Sequence, residues 1–66
     1  MRVLVNEEHR DLPEASTVAD LVLALGLTGV RCAVEVNRRL IPRAEHAGHR
    51  LEEGDRVEVV TLVGGG

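Results

Sequence analysis

The sequence predicts an α+β fold in which one helix packs on one face of a mixed β-sheet. Two valine-rich segments near the two ends of the chain alternate as β-strands do, and one amphipathic segment between them has helical spacing. We expect the first and last strands to lie side by side and parallel, because one helical crossover then covers a face of the sheet. The predicted order is hairpin, helix, two strands, loop and final strand.

The first part of the chain predicts a β-hairpin followed by a helix. Residues 2–5 and 9–12 are the two predicted strands, and Pro13 ends the second because proline has no N–H to donate. Thr17 is a candidate N-cap in a capping-box arrangement with Asp20. The helix is predicted over residues 18–25, with Gly26 as a left-handed C-cap. Its apolar stripe has the spacing i, i+3, i+4, i+7 and consists of Val18, Leu21, Val22 and Leu25.

The second part predicts two short strands, a loop and a long final strand. The short strands are residues 32–36 and 39–41, joined by an Asn37-Arg38 turn. Residues 43–49 are expected to form a loop with at most one helical turn. The final strand is predicted over residues 56–63, which suits a central position or a strand whose second face meets a partner. One face carries Val57, Val59, Thr61 and Val63, and the other carries Glu58, Val60 and Leu62.

Composition favours a binding or carrier module over an enzyme. A single domain of 66 residues without Phe, Trp or Tyr has no room for a deep substrate cleft. A net charge of −3 argues against nucleic acid as the main partner. All eight basic residues are Arg, so the chain has no Lys for a Schiff base or an isopeptide bond. No segment is long and apolar enough for a membrane helix, and no signal sequence is evident. A single Cys forms no internal disulfide, so the fold does not depend on an oxidising compartment. We therefore expect a cytoplasmic protein.

Few side chains are candidates for chemistry. Cys32 follows Arg31, which can lower a thiol pKa, but a free Cys is more often a small apolar filler, and we favour that role. His46 and His49 with Glu45 are too loose a cluster to predict a metal site. We therefore expect no metal and no cofactor bound by the chain itself.

The last residues are Gly64, Gly65 and Gly66. We expect residues 1–63 to form one domain and residues 64–66 to be a flexible glycine tail that ends in an ionised carboxylate. Composition alone favours a frayed terminus. Val60 and Leu62 are candidates for a hydrophobic docking patch beside this tail, if neither helix nor loop covers them.

An ordered set of short motifs resembles the ThiS family of thiamine biosynthesis, a group of ubiquitin-like β-grasp sulfur carriers. The resemblance extends over nearly the whole chain, and it departs at Arg38, where many relatives have Gly. The matching segments are the valine-rich opening that ends at Asn6, Leu12-Pro13, residues 17–21, residues 33–37, residues 41–43, residues 51–60 and the terminal glycines.

The resemblance implies a β-grasp fold with a mixed sheet of four to five strands and one main helix on one face. It also implies that the carboxylate of Gly66 is adenylated by a separate, ThiF-like enzyme that uses ATP, and that it then becomes a thiocarboxylate. A cysteine desulfurase or sulfurtransferase supplies the sulfur, and thiazole synthase takes it. Gly64 and Gly65 thread the tail through a narrow channel. No nucleic acid and no membrane is implied.

Several alternatives share the same sequence features. The small subunit of molybdopterin synthase and carriers for other sulfur products use the same tail chemistry. A protein modifier conjugated through Gly66 is a second class. A plain interaction module with an inert tail is a third.

Overall fold

The computed structural model describes residues 1–62. Residues 63–66 lie outside the described part, so the predicted glycine tail is not tested. The final strand was predicted to run to Val63 but ends at Thr61, because Thr61 is the register partner of Cys32, the first residue of the neighbouring strand. The described elements are strands β1 (Arg2–Val5) and β2 (Glu8–Asp11), helix α1 (Val18–Ala24), strands β3 (Cys32–Val36) and β4 (Arg39–Ile41), a 3₁₀ turn (Arg43–Glu45) and strand β5 (Arg56–Thr61).

The five strands form one mixed sheet in the order β2-β1-β5-β3-β4. Strands β1 and β5 are parallel neighbours, as predicted, with Val5 paired to Val57. The other pairings, β1 with β2, β3 with β4 and β3 with β5, are antiparallel. The first and last strands therefore meet in the centre of the sheet, and the predicted α+β arrangement is confirmed.

The core lies between helix α1 and one face of the sheet. From the helix, Val18 and Leu21 are fully buried. Residues of four strands meet them, and within a strand they are alternate residues because its side chains alternate between the two faces of the sheet. The strand residues of this core are Val3, Val5, Val34, Val36, Ile41, Val57 and Val59. With no aromatic side chain available, the core is built from branched aliphatic residues.

Helix α1 has the predicted N-terminus. The backbone N–H of Asp20 donates to Thr17 Oγ1 at 3.2 Å, and the N–H of Thr17 donates to Asp20 Oδ2 at 2.9 Å. This reciprocal capping box satisfies two backbone donors that a helix start leaves without partners. At the other end, Gly26 adopts the left-handed region with φ of 75°. The helix is one residue shorter than predicted, because Leu25 is its C-cap.

Two tight turns have the geometry of a type I′ hairpin. Asn6 and Glu7 have φ of 48° and 69°, and Asn37 and Arg38 have φ of 51° and 69°. Asn tolerates positive φ better than other non-glycine residues, so it suits the first position of each turn. In both turns the second position is occupied by a long charged residue, where glycine is preferred.

Candidate functional site

The candidate site is the exposed end of β5, the strand that leads into the glycine segment. β5 lies between β1 and β3 in the sheet. Val57 and Val59 anchor it in the core with exposed fractions of 0% and 8%. The last described contact along it is the Leu62 N–H, which donates to the Arg31 carbonyl at 2.8 Å. β5 itself ends at Thr61, so Leu62 continues the pairing without being part of the strand.

Asparagine side chains hold β5 on both of its edges. On the β3 side, the N–H of Arg56 donates to Asn37 Oδ1 at 3.0 Å, and Asn37 Nδ2 donates to Asp55 Oδ1 at 2.9 Å. On the β1 side, the side chain of Asn6 bonds to the backbone of Val59. Each asparagine begins one of the two type I′ turns. The turns that reverse the neighbouring strands therefore also fix the position of β5.

The docking candidates Val60 and Leu62 are exposed by 57% and 49%. Neither the helix nor a loop within residues 1–62 covers them. Val60 belongs to the sheet face opposite helix α1, because its neighbour Val59 faces the core. Their role in docking stays a prediction, as do the roles of Gly64, Gly65 and Gly66, which lie outside the described residues.

The sheet face opposite the helix also carries charge that the sequence interpretation did not single out. Glu35 on β3 lies directly opposite Glu58 on β5, and both are exposed. At the far edge of the same face, Arg2 Nε donates to Asp11 Oδ1 at 3.1 Å. This hydrogen bond and the charge of Arg2 lower the pKa of the Asp11 carboxyl. These pairs could have been found only from the register between the strands, which shows which residues are opposite each other and which the sequence alone does not determine.

The remaining candidate side chains lie on the helix side. Cys32 is half-buried, packs against the core and borders a surface cavity of about 260 Å³, in agreement with its predicted role as an apolar filler. His46 Nε2 lies 2.9 Å from the carbonyl oxygen of Ile41. Over residues 1–62 the structure places no three His, Cys, Asp or Glu side chains together as a metal would require.

A mixed five-stranded sheet around one helix, with its central strand leading to the C-terminal residues, defines a ubiquitin-like β-grasp protein. The chain belongs to the ThiS family, which it matches over residues 1–66. The resemblance seen in the sequence motifs is thereby confirmed. Within the described residues, no helix is long and apolar enough to cross a membrane.

Relatives and solved structures agree with this assignment. The chain is 26% identical to the sulfur carrier protein ThiS of Escherichia coli, and the match covers 100% of both chains. The crystal structure of the thiamine biosynthesis protein ThiS from Geobacter metallireducens superposes with a TM-score of 0.84 at 28% identity, again over 100% of both chains. A thiazole synthase of Paramagnetospirillum magneticum is 33% identical over 66 residues. The chain spans 20% of the length of that relative and of a second thiazole synthase, from Magnetococcus marinus.

Proposed function

We propose that this protein is a sulfur carrier of thiamine biosynthesis, on which enzymes act, and that it is not itself an enzyme. The observation that carries the proposal is the full-length match to the ThiS family, which includes the glycine segment at residues 64–66. The fold supports it, because the described residues form a small packed body around a central strand that leads to that segment.

The reacting group of the proposal is the α-carboxylate of Gly66. A carboxylate is a poor acyl donor, because its oxygen is a poor leaving group. A carboxylate oxygen of Gly66 attacks the α-phosphorus of ATP on the adenylating enzyme, and pyrophosphate leaves. The terminal sulfur of a persulfide on a desulfurase or sulfurtransferase then displaces AMP from the carbonyl carbon and forms an acyl disulfide. A second thiol cleaves the S–S bond of this intermediate, which leaves a thiocarboxylate on Gly66 and a disulfide on the donor. Gly64 and Gly65 allow this end to enter a slot too narrow for side chains.

The body of the protein contributes position rather than catalysis. The Asn6 and Asn37 contacts and the two neighbouring strands fix β5, so the residues that follow leave from a defined point. An extended chain advances about 3.3 Å per residue, which gives Gly66 a reach of roughly 13 Å beyond Leu62. That reach suits a carboxylate presented to a partner's nucleotide pocket while the body docks outside, with Val60 and Leu62 in the contact.

The two thiazole synthase relatives support thiazole synthase as the acceptor of the sulfur. In each of them, a region similar to this whole chain is part of one longer polypeptide. A carrier joined covalently to its acceptor raises the effective concentration of one for the other. We infer that this chain serves the same reaction, and that thiazole synthase is its partner.

Intact mass spectrometry tests the proposal. The protein is incubated with its adenylating enzyme, ATP, cysteine, a cysteine desulfurase and a thiol reductant that cleaves the acyl disulfide. We expect the mass increase produced by exchange of one oxygen for sulfur, and loss of that increase when Gly65 and Gly66 are deleted. Cys32→Ser is the matched control, because Cys32 is the single thiol of the chain. The variant must still gain sulfur if the sulfur is attached at Gly66.

Two results would overturn the proposal. The first is a pair of observations: the mass of the wild-type protein never changes, and a host strain in which Gly65 and Gly66 are deleted still grows without thiamine. The other is a gain of sulfur that depends on Cys32. Addition of purified thiazole synthase then identifies the pathway: the sulfur leaves the carrier with formation of thiazole, whereas a molybdopterin synthase subunit would transfer it only to a molybdopterin precursor.

A further inference from the structure

Helix α1 presents an exposed apolar ridge on the side that faces away from the sheet. Leu23 is 65% exposed on this ridge, more than any other large apolar side chain of the described residues. Ala24 beside it is also exposed, and so is Asp20, which lies one turn earlier on the same side of the helix. Val18 and Leu21 are fully buried against the sheet, so within residues 1–62 the helix is packed through one side.

A cavity of about 260 Å³ lies on one flank of the ridge, and we call it the basic cavity. Ala19 and Val22 of the helix form one wall, because residues three positions apart are neighbours on a helix. The turn after β4 forms another wall with the side chains of Arg43 and His46. The loop that joins the helix to β3 forms the third, and no Asp or Glu of the described residues lines the cavity.

A second cavity, of about 390 Å³, lies on the other flank, and we call it the acidic cavity. Leu23 and Ala24 border it from the helix, and its charged lining residues are Glu14 and Asp20. No Arg of the described residues lines it. A cavity of roughly 150 Å³ already holds a molecule of the size of benzene, so the side chain of a partner's leucine fits here.

The two cavities are on opposite sides of Leu23. With about 3.6 residues per helical turn, Ala19 and Val22 project from one side of it. Asp20 and Ala24 project from the other side. The exposed surface of the helix therefore runs from a basic flank over an apolar ridge to an acidic flank.

Arg43 and Glu14 carry charges of opposite sign on the two flanks. Both are exposed, and neither takes part in an ion pair with another residue of 1–62. A two-fold rotation about an axis parallel to the helix places the basic flank of one copy against the acidic flank of a second copy, and the reverse contact forms at the same time. The surface is thus complementary to itself.

A second copy of the chain matches this surface better than other partners do. A basic partner would match the acidic flank alone, and an acidic partner or a small anion would match the basic flank alone. A second copy satisfies both flanks and also removes two Leu23 side chains from water. The net charge of −3 per copy opposes association only weakly, because salt screens exposed charges that are more than about 8 Å apart.

We propose that helix α1 is a self-association surface, through which two copies of this chain form a two-fold symmetric dimer with parallel helices. Leu23 of each copy packs into the acidic cavity of the other, and Arg43 of each copy lies against Glu14 of the other. This dimer is independent of the proposed carrier function. It leaves the sheet face that carries Val60 free, because that face is opposite the helix.

The dimer is expected to be weak, because the helix has seven residues and offers a small contact. Stable interfaces bury about 800 Å² on each partner, and smaller ones are typical of transient complexes. We therefore expect a dissociation constant on the order of 100 μM.

Sedimentation equilibrium measures the association directly. Over concentrations from about 10 μM to 1 mM, which bracket the expected constant, the mass of the wild-type protein should rise from 7.2 kDa toward that of two chains. Leu23→Ala should weaken the dimer by about tenfold or more, because it truncates the residue at the centre of the contact. Leu40→Ala is the matched control: Leu40 is 60% exposed on the open face of the sheet, and its truncation should leave the association unchanged.

Charge reversal tests the contact between the two flanks. Arg43→Glu and Glu14→Arg should each weaken the dimer by about tenfold, because like charges then meet across the interface. The double variant Arg43→Glu/Glu14→Arg should regain most of the affinity, since the two charges are exchanged and opposite signs meet again. Arg39→Glu is the matched control, because it changes the net charge as Arg43→Glu does but lies in β4, outside both cavities.

Three results would overturn the proposed dimer. The first is a wild-type protein that keeps the monomer mass up to about 1 mM, in which case each cavity is left to a partner of opposite charge. The second is a dimer that is as stable in Leu23→Ala as in the wild type. The third is a double charge variant that associates no better than either single variant. Urea unfolding at about 10 μM, where the wild type is mostly monomeric, shows that each variant is folded.

Discussion

The side-chain amide of Asn6 forms hydrogen bonds with both backbone groups of Val59. Asn6 Nδ2 donates to the Val59 carbonyl at 3.1 Å, and the Val59 N–H donates to Asn6 Oδ1 at 2.8 Å. At this point β1 has turned away into the hairpin, so no strand backbone is left to pair with Val59 on that side. The amide group, which has one donor side and one acceptor side, takes the place of a peptide unit of β1. It extends the pairing of β5 by one more residue.

Replacement of Asn6 by Gly should destabilise the protein by about 1–3 kcal/mol, because the two backbone groups of Val59 lose their partners. Asn6→Ala should cost about 1 kcal/mol more, since Ala also disfavours the positive φ of this position. Urea unfolding followed by circular dichroism measures the differences. If Asn6→Gly is as stable as the wild type, the two hydrogen bonds of the Asn6 amide make no net contribution to the free energy of unfolding. The amide then resembles a peptide unit of β1 in position only.

Arg38→Gly should stabilise the protein by about 0.5–1 kcal/mol. Arg38 is exposed and has φ of 69° in the turn between β3 and β4, a conformation that glycine adopts without steric cost. Arg39→Gly is the control, because the adjacent Arg39 lies in strand β4, where glycine is unfavourable. A higher melting temperature for Arg39→Gly than for Arg38→Gly would contradict the inference that the positive φ of Arg38 strains the turn.

Leu21→Ala should cost about 2–5 kcal/mol of unfolding free energy, because Leu21 is fully buried beneath the sheet and the truncation leaves a cavity. For a domain of 66 residues this approaches the whole stability. Leu23→Ala on the same helix should change stability by less than about 0.5 kcal/mol, since Leu23 is 65% exposed. Equal losses for the two variants would show that helix α1 packs on the sheet through a different face.

The Arg2–Asp11 contact predicts a pH effect on the first hairpin. The hydrogen bond from Arg2 and its charge hold the pKa of Asp11 below the ordinary value of 3.8 in the folded state. The stabilisation is therefore present above that ordinary pKa and is lost as the pH falls through the lower folded-state pKa. We expect Arg2→Gln to raise the pKa of Asp11 in an NMR titration of its carboxyl carbon.

Arg10→Gln, on the same hairpin, is the control for this titration. If Arg10→Gln shifts the pKa of Asp11 by as much as Arg2→Gln does, the cause is a general charge effect and not the contact with Arg2. Both groups are exposed, so the contact should weaken in high salt.

Much of the fold was predictable because local signals agreed with the global arrangement. The capping box at Thr17 and Asp20, the glycine after the helix and the alternation of valines are short-range patterns, and the structure contains each of them. The parallel pairing of β1 with β5 followed from the need to cover one face of the sheet with one helix. The exposure of Val60 and Leu62 was not decided by the sequence, because alternation identifies a face without showing what covers it.

The contacts that the sequence left open are those that depend on register between distant strands. Glu35 and Glu58 are 23 positions apart, and nothing in their neighbourhoods indicates that they are directly opposed. The same holds for the bonds of Asn6 to Val59, because in the sequence Asn6 stands out only as the end of the valine-rich opening. A register shift of one residue would exchange the two faces of a strand, so such contacts require the assembled sheet.

The central position of β5 also has a mechanical consequence. A partner that draws the residues beyond Leu62 into a channel pulls β5 along its own axis, and the hydrogen bonds to β1 and β3 run across that axis. The load is then a shear force that many bonds resist at once, whereas a pull on β2 at the sheet edge would open its bonds one after another. In single-molecule stretching we expect a higher unfolding force between residues 2 and 62 than between residues 2 and 11, and equal forces would contradict this. We therefore expect the body formed by residues 1–62 to stay folded when tension acts on the C-terminal end of β5.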